Sequence, residues 1–240
     1  MPVSISLCTQ GLREYAVGIS SMNHGPIESV IFDLDGTLID SADDIIRCLN
    51  RAYDSIGISP LEIKRSHIGP PLKDIIQKVT PDIGSDNAER IINGFRKCYD
   101  SISHEKTRIK YGFRKTLDQL SSWGIRTFIV TNKPQKPTRM IADKLRLTGF
   151  SEILTPDIGF RERNKAEMIT DLIAHWNLDS GRTLMVGDTE SDVYAARKNG
   201  LRAAVVRNGY GCPWKIAVSS PDYVLKTGRD LIYLLSDNFR

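Results

Sequence analysis

Asp33 and Asp35 stand two residues apart in S-V-I-F-D-L-D-G-T, directly behind an apolar run and in front of a glycine. Carboxylates at i and i+2 that leave the end of a strand project to the same side. Asp188 follows a second apolar run, L-M-V-G, and Asp192 lies four residues further on. Brought together, Asp33, Asp35 and Asp188 carry a charge of about −3, and repulsion on that scale calls for a cation or for protonation. All-oxygen ligation favours a hard metal, and a small carboxylate site that keeps several waters suits Mg²⁺ better than Ca²⁺. A calcium-binding EF-hand loop counted from Asp33 needs glycine sixth and glutamate twelfth. This chain has Leu38 and Asp44 there, which sets that reading aside. An Asp-Gly turn with no further role accounts for Gly36 but leaves Asp33 and the carboxylates from other segments unexplained.

Carboxylates and a metal together suggest phosphoryl chemistry. One aspartate can attack phosphorus and form an acyl phosphate, while a second protonates the leaving oxygen and later deprotonates water. Such a site also needs hydrogen-bond donors and positive charge for the equatorial oxygens. Thr131 and Asn132, behind R-T-F-I-V, can donate, and Lys165 in R-E-R-N-K-A-E-M is the candidate cation ahead of an amphipathic segment.

Positioning these residues falls to four short runs, S-V-I-F, R-T-F-I-V, T-L-M-V-G and A-A-V-V. Consecutive apolar, β-branched positions are the pattern of strands buried on both faces of a parallel sheet. Between the runs, Leu117 and Leu120, Ile141 and Leu145, Met168, Ile169, Leu172 and Ile173, and Val193 and Ala196 recur at helical spacings. The alternation predicts an α/β fold, in which ligands bind beyond the carboxyl ends of the strands. One interval departs from it. From Ala42 to Lys110 the apolar residues of I-I-R-C-L-N-R-A-Y, L-K-D-I-I-Q-K-V and A-E-R-I-I-N-G-F-R-K-C-Y follow helical spacing without a buried strand, so a helical insert is expected. H-I-G-P-P-L-K-D, His67 to Asp74, interrupts it as a helix-to-helix turn, since proline restricts the residue before it and suits a first helical turn.

A chain of 240 residues, 40% hydrophobic and 26% charged, is long enough for an α/β domain with a smaller insert. Its net charge of +4 is modest and its basic residues form no stripe, which argues against nucleic acid as a partner. No stretch approaches the roughly 18 apolar residues of a membrane span, and the first segment lacks the pattern of a signal peptide. Cys8, Cys48, Cys98 and Cys212 are scattered with no C-x-x-C pair, and reduced, non-ligating thiols in a cytoplasmic protein are expected. Residues 1–25 read as an N-terminal extension. Met22, just before N-H-G-P-I-E, suggests that the first 21 residues are dispensable or precede the true start.

D-L-D-G-T at Asp33 to Thr37, Thr131-Asn132, Lys165 and G-D-T-E-S-D at Gly187 to Asp192 resemble, in order and spacing, the four motifs of the haloacid dehalogenase superfamily. Within it the chain is similar to phosphoglycolate phosphatases and their relatives, through T-N-K-P at Thr131, G-P-P-L at Gly69 and V-R-N-G-Y-G near the end. The resemblance spans Val30 to Leu235. It implies a Rossmann-like core, residues 26–41 and 111–240, carrying an α-helical cap at residues 42–110. It further implies that Asp33 is the nucleophile and a Mg²⁺ ligand, and that Asp35 is the general acid/base whose backbone carbonyl also binds the metal. Thr131 and Asn132 would hold the phosphoryl group, Lys165 would neutralise it, Asp188 would ligate Mg²⁺ and Asp192 would support the metal shell. Gly69, Pro70 and Pro71 would form the cap loop that closes over the substrate, a small phosphorylated metabolite.

The chain departs from the pattern where Ala166 stands in place of the usual proline after Lys165, with Arg161 and Arg163 alongside, and where Tyr111 precedes Gly112. A Mg²⁺-dependent phosphatase is the leading expectation. Dehalogenation is disfavoured, because a leaving alkoxide needs the acid that Asp35 supplies and a halide does not. A phosphomutase shares all four motifs, and a non-catalytic phosphate-binding protein would not need both Asp33 and Asp35. Of the histidines, only His67 stands near a substrate loop.

Overall fold

A computed structural model describes residues 25–157 and 163–236. Residues 1–24 of the expected N-terminal extension, among them Cys8, and Arg161 lie outside the described residues. The chain runs through β1 (Ser29–Phe32), β2 (Ile39–Asp40), α1 (Ala42–Asp54), α2 (Leu72–Val79), α3 (Ser85–Tyr99), β3 (Arg108–Ile109), α4 (Phe113–Ser122), β4 (Arg126–Val130), α5 (Gln135–Leu145) and β5 (Glu152–Leu154). It continues through α6 (Lys165–Trp176), β6 (Thr183–Gly187), α7 (Glu190–Lys198), β7 (Arg202–Val206), α8 (Pro213–Ser219), β8 (Tyr223–Leu225) and α9 (Gly228–Ser236).

Six strands form a parallel sheet in the order β5-β4-β1-β6-β7-β8. Strand β1 is buried throughout, and its side chains alternate between two apolar layers. Val30 and Phe32 pack with Phe113, Leu120 and Ile141 from α4 and α5. Ile31 packs on the other side with Met168, Ile169 and Leu172 of α6 and Val193 and Ala196 of α7. A strand covered on both faces cannot alternate polar and apolar residues, which is why S-V-I-F reads as a continuous run. The α/β, Rossmann-like expectation holds. The edge strands β5 and β8 were not foreseen: each has three residues, one of them buried, too short and too exposed to leave a pattern.

The chain leaves the sheet through β2 and returns through β3, which pair antiparallel with Ile39 opposite Ile109. Between them α1, α2 and α3 form the helical cap, with α2 beginning directly after Pro71. The expectation of reduced thiols fails at one pair: Cys48 of α1 and Cys98 of α3 form a disulfide. Side by side on packed helices, the two thiols are neighbours that a separation of 50 residues in sequence concealed. Cys212 is free and exposed. No helix among the described residues is long and apolar enough to cross a membrane.

Candidate active site

Phe32 lies level with Ile129 of β4 and Val186 of β6, so three neighbouring strands end together. The chain goes from β1 to one side of the sheet and later crosses to the other, and between such diverging connections the strand ends open a crevice. Asp33 extends from β1 into it, Thr131 follows β4 and Asp188 follows β6.

Lys165 arrives from a different kind of element. Asn164 caps α6: its side chain accepts the Glu167 amide at 3.0 Å, while the Glu167 carboxylate accepts the Asn164 amide at 3.0 Å. This reciprocal cap fixes the first turn of the helix. From there the Lys165 ammonium donates to Asp33 Oδ1 at 2.7 Å and to Asp192 Oδ1 at 2.5 Å. The second Asp192 oxygen accepts the amides of Asp188 (3.1 Å) and Thr189 (2.9 Å) and the Thr189 hydroxyl (2.8 Å). Asp192 thus ties the loop after β6 to the first turn of α7 and to Lys165. The arginine at 163 does not compete for the site, because it pairs with Asp171 at 2.7 Å.

Asp33, Asp188 and Asp192 are all buried, and each offers a carboxylate oxygen within 4.8 Å of the others. The Thr37 hydroxyl lies 3.3 Å from Asp33 Oδ2 and 3.4 Å from Asp188 Oδ1. Its single proton can serve only one of them. Burial is the largest influence on Asp33; Lys165 opposes it, but the charges of Asp192 and Asp35 add to it, and the carboxyl is pushed up from 3.8 to about 7. Burial, then Asp33 and Asp192, hold Asp188 well above the usual carboxylate range. Asp192 goes the other way, since Lys165 and the Thr189 hydrogen bonds outweigh burial. Lys165 is held above its ordinary value by Asp192 and Asp33 in spite of burial. Three buried carboxylates against one ammonium leave negative charge uncompensated, and an all-oxygen donor set of this kind fits a hard divalent cation.

The Asp35 side chain stands apart from that cluster. One oxygen accepts the Ser41 hydroxyl, and the other lies 3.2 Å from the Lys133 ammonium. Lys133 is buried, donates to the Tyr99 hydroxyl of α3 at 3.0 Å and sits 4.5 Å from the centre of the Tyr99 ring. Its backbone amide donates to the Thr131 hydroxyl at 3.1 Å. Lys133 pairs with Asp35 beside the cap, and Lys165 pairs separately with Asp33 and Asp192 of the carboxylate cluster.

Asn132 Nδ2 donates to the Gly69 carbonyl at 3.1 Å, which fastens the cap turn to the core. Gly69, Pro70, Pro71, Thr131, Asn132, Asp33 and Asp35 line one cavity of about 680 Å³ between core and cap. Lys165, Asp188 and Asp192 stand behind Asp33 and do not line it. His67 is not among the lining residues either; its Nδ1 accepts the Lys64 amide within its own turn. Sequence reasoning missed three contributors. Lys133 directly follows Thr131-Asn132 and its position was the available signal. Ser41 closes on Asp35 from the start of α1. Tyr210, in V-R-N-G-Y-G, donates its amide to Asp188 Oδ2 at 2.6 Å, while its hydroxyl accepts the amides of Ser41 (2.7 Å) and Ala42 (3.0 Å).

The chain is 28% identical over 213 residues to the phosphoglycolate phosphatase of Aquifex aeolicus, covering 87% of this chain and 97% of that protein. It is 28% identical over 212 residues to the phosphoglycolate phosphatase of Pseudomonas fluorescens, covering 85% of this chain and 78% of that one. A haloacid dehalogenase-like family hydrolase from Streptococcus pneumoniae has the same fold, with a TM-score of 0.78 at 23% identity over 87% of this chain and 98% of that one. Residues 30–206, from β1 through β7, match the family model for haloacid dehalogenase-like hydrolases, and the chain belongs to that family.

Proposed function

We propose that the protein is a Mg²⁺-dependent phosphatase that hydrolyses a small-molecule phosphomonoester through an aspartyl-phosphate intermediate. The observation that carries this reading is the Lys165 ammonium held between Asp33 and Asp192, beside Asp188, at the ends of β1 and β6. Lys165 opposes the burial that favours the protonated form of Asp33, a charged Asp33 carboxylate is a nucleophile, and the same ammonium can neutralise the phosphoryl oxygens. Carboxylates of Asp33 and Asp188 and the backbone carbonyl of Asp35 would hold the metal, with Asp192 supporting them from behind. Bound there, Mg²⁺ would supply charge to offset the carboxylates and the phosphate.

Asp33 attacks phosphorus, the bond to the ester oxygen breaks, and Asp35 gives its proton to the leaving alkoxide. Asp35 then takes a proton from water, the resulting hydroxide attacks the acyl phosphate, and inorganic phosphate leaves with Asp33 regenerated. Asp35 is placed for both steps because it faces the cavity while Ser41 and Lys133 fix the orientation of its carboxyl group. Thr131 and Asn132 orient the phosphoryl group. The names of the relatives add weight to a phosphomonoester as substrate.

A hydrolysis panel of phosphoglycolate, sugar phosphates and nucleotides, with and without Mg²⁺, tests the reading. Asp33→Asn should abolish Mg²⁺-dependent phosphate release while the far-ultraviolet circular dichroism stays unchanged; retained turnover overturns the nucleophile assignment. A phosphomutase would interconvert sugar phosphate isomers with little net release of phosphate.

A further inference from the structure

The cavity is far larger than a two-carbon acid phosphate requires. At about 680 Å³ it falls within the roughly 300–1,000 Å³ of sites that enclose drug-sized ligands. Asp33, Asp35, Thr131 and Asn132 line it on the core side, the charged Lys73, Arg96, Asp100, Lys136 and Asp157 also reach it, and apolar groups supply the larger share of its wall. Leu72 contributes from the start of α2, and Ile92 and Phe95 from α3. Ile92, Phe95 and Tyr99 recur at spacings of three and four and therefore share one face of that helix. Phe95 stacks on Tyr99 with ring centroids 5.1 Å apart and planes 14° from parallel, which extends a flat wall outward from the Lys133–Asp35 pair. Leu72, Ile92 and Phe95 are only half-buried although they line the cavity, so apolar surface is left uncovered beside it.

We propose that the substrate is a phosphomonoester whose alcohol carries an apolar, ring-sized body lying against Phe95 and Ile92, a class that excludes phosphoglycolate as the preferred substrate. The inference rests on the phosphatase reading, which assigns the part of the cavity at Asp33 to the phosphoryl group. With that group at Asp33, a two-carbon acid leaves the Phe95 wall uncovered. An alcohol bearing a phenyl-sized ring reaches it and removes apolar surface from water on both sides. The ring does not take part in the chemistry, so its contribution falls mainly on binding and on KM.

Ethyl phosphate and 2-phenylethyl phosphate have similar leaving groups and differ in the ring. Compared on the Mg²⁺-loaded protein, 2-phenylethyl phosphate should show a kcat/KM at least about tenfold above that of ethyl phosphate and of phosphoglycolate. Phe95→Ala should remove most of that advantage by raising KM for the phenyl ester far more than for ethyl phosphate. Phe95→Leu, which keeps an apolar side chain and loses the flat face, should retain part of it and guards against a folding defect in the alanine variant. Equal kcat/KM for the two esters, or a preference for phosphoglycolate, overturns the inference and leaves the phosphatase reading intact. No phosphate released from these three esters or from the sugar phosphates and nucleotides of the hydrolysis panel overturns both.

Discussion

The Lys165 ammonium lies 2.7 Å from Asp33 Oδ1, with both side chains buried at the junction of β1 and α6. Removing one partner of a buried pair strands the other's charge, so Lys165→Met should lower stability by about 3–5 kcal/mol in metal-free protein, read from urea unfolding. In the Mg²⁺-loaded protein the same variant should lose on the order of 10³-fold or more in kcat, because charge opposite the phosphoryl oxygens is removed. A variant within tenfold of the parent would contradict the role given to this lysine.

Lys133 joins cap and core through Asp35 at 3.2 Å and the Tyr99 hydroxyl at 3.0 Å. It holds the carboxylate proposed to move protons, without standing in the metal cluster. Lys133→Met should therefore lower kcat by about 10- to 100-fold, a part of what general acid–base catalysis supplies. Tyr99→Phe keeps the ring beneath the ammonium and should cost less. If Lys133→Met raised KM alone, Lys133 would be a substrate contact and not a positioning residue for Asp35.

Gly36 turns the chain away from the site at φ +82°, and a Cβ there would fall 2.1 Å from Asp188 Oδ2. Backbone and space both forbid a side chain. Gly36→Ala should lower stability by more than about 1 kcal/mol and displace Asp188. Thermal unfolding with and without Mg²⁺ separates the two effects: a wild-type metal-induced rise in Tm would show that Asp188 had not moved.

In metal-free protein the Asp33 carboxyl titrates near 7 against 3.8 for the free side chain, chiefly because of burial. Between those values the folded state holds a proton that the unfolded chain has released. Asp33 therefore makes stability fall as pH rises through that window, by up to about 1.4 kcal/mol per pH unit. Mg²⁺ should flatten this slope and, at about 100 times its Kd, add roughly 2.7 kcal/mol near neutral pH. Urea midpoints measured from pH 4 to 8 with chelator and with Mg²⁺ check it; the same slope in both series would argue that Asp33 does not hold the metal.

The sequence by itself determined the parallel α/β core, because strands buried on both faces must be apolar at successive positions, as S-V-I-F and T-L-M-V-G are. It also marked where chemistry could sit, since charge at the end of a buried run is costly unless it is used. The helical cap was legible from spacing, and Asp33, Lys165 and Asp188 from their order. What pairs with what was decided only by the tertiary structure. Asp192 reaches Lys165 across 27 residues and Lys133 reaches Tyr99 across 34, contacts set by how helices and strand ends converge and not by local pattern. The Cys48–Cys98 disulfide, the turn of Asp35 toward Lys133 and away from the carboxylate cluster, and the apolar wall at Phe95 have the same origin. Each depends on the packing of α1, α2 and α3 over the sheet, which no short stretch of sequence encodes.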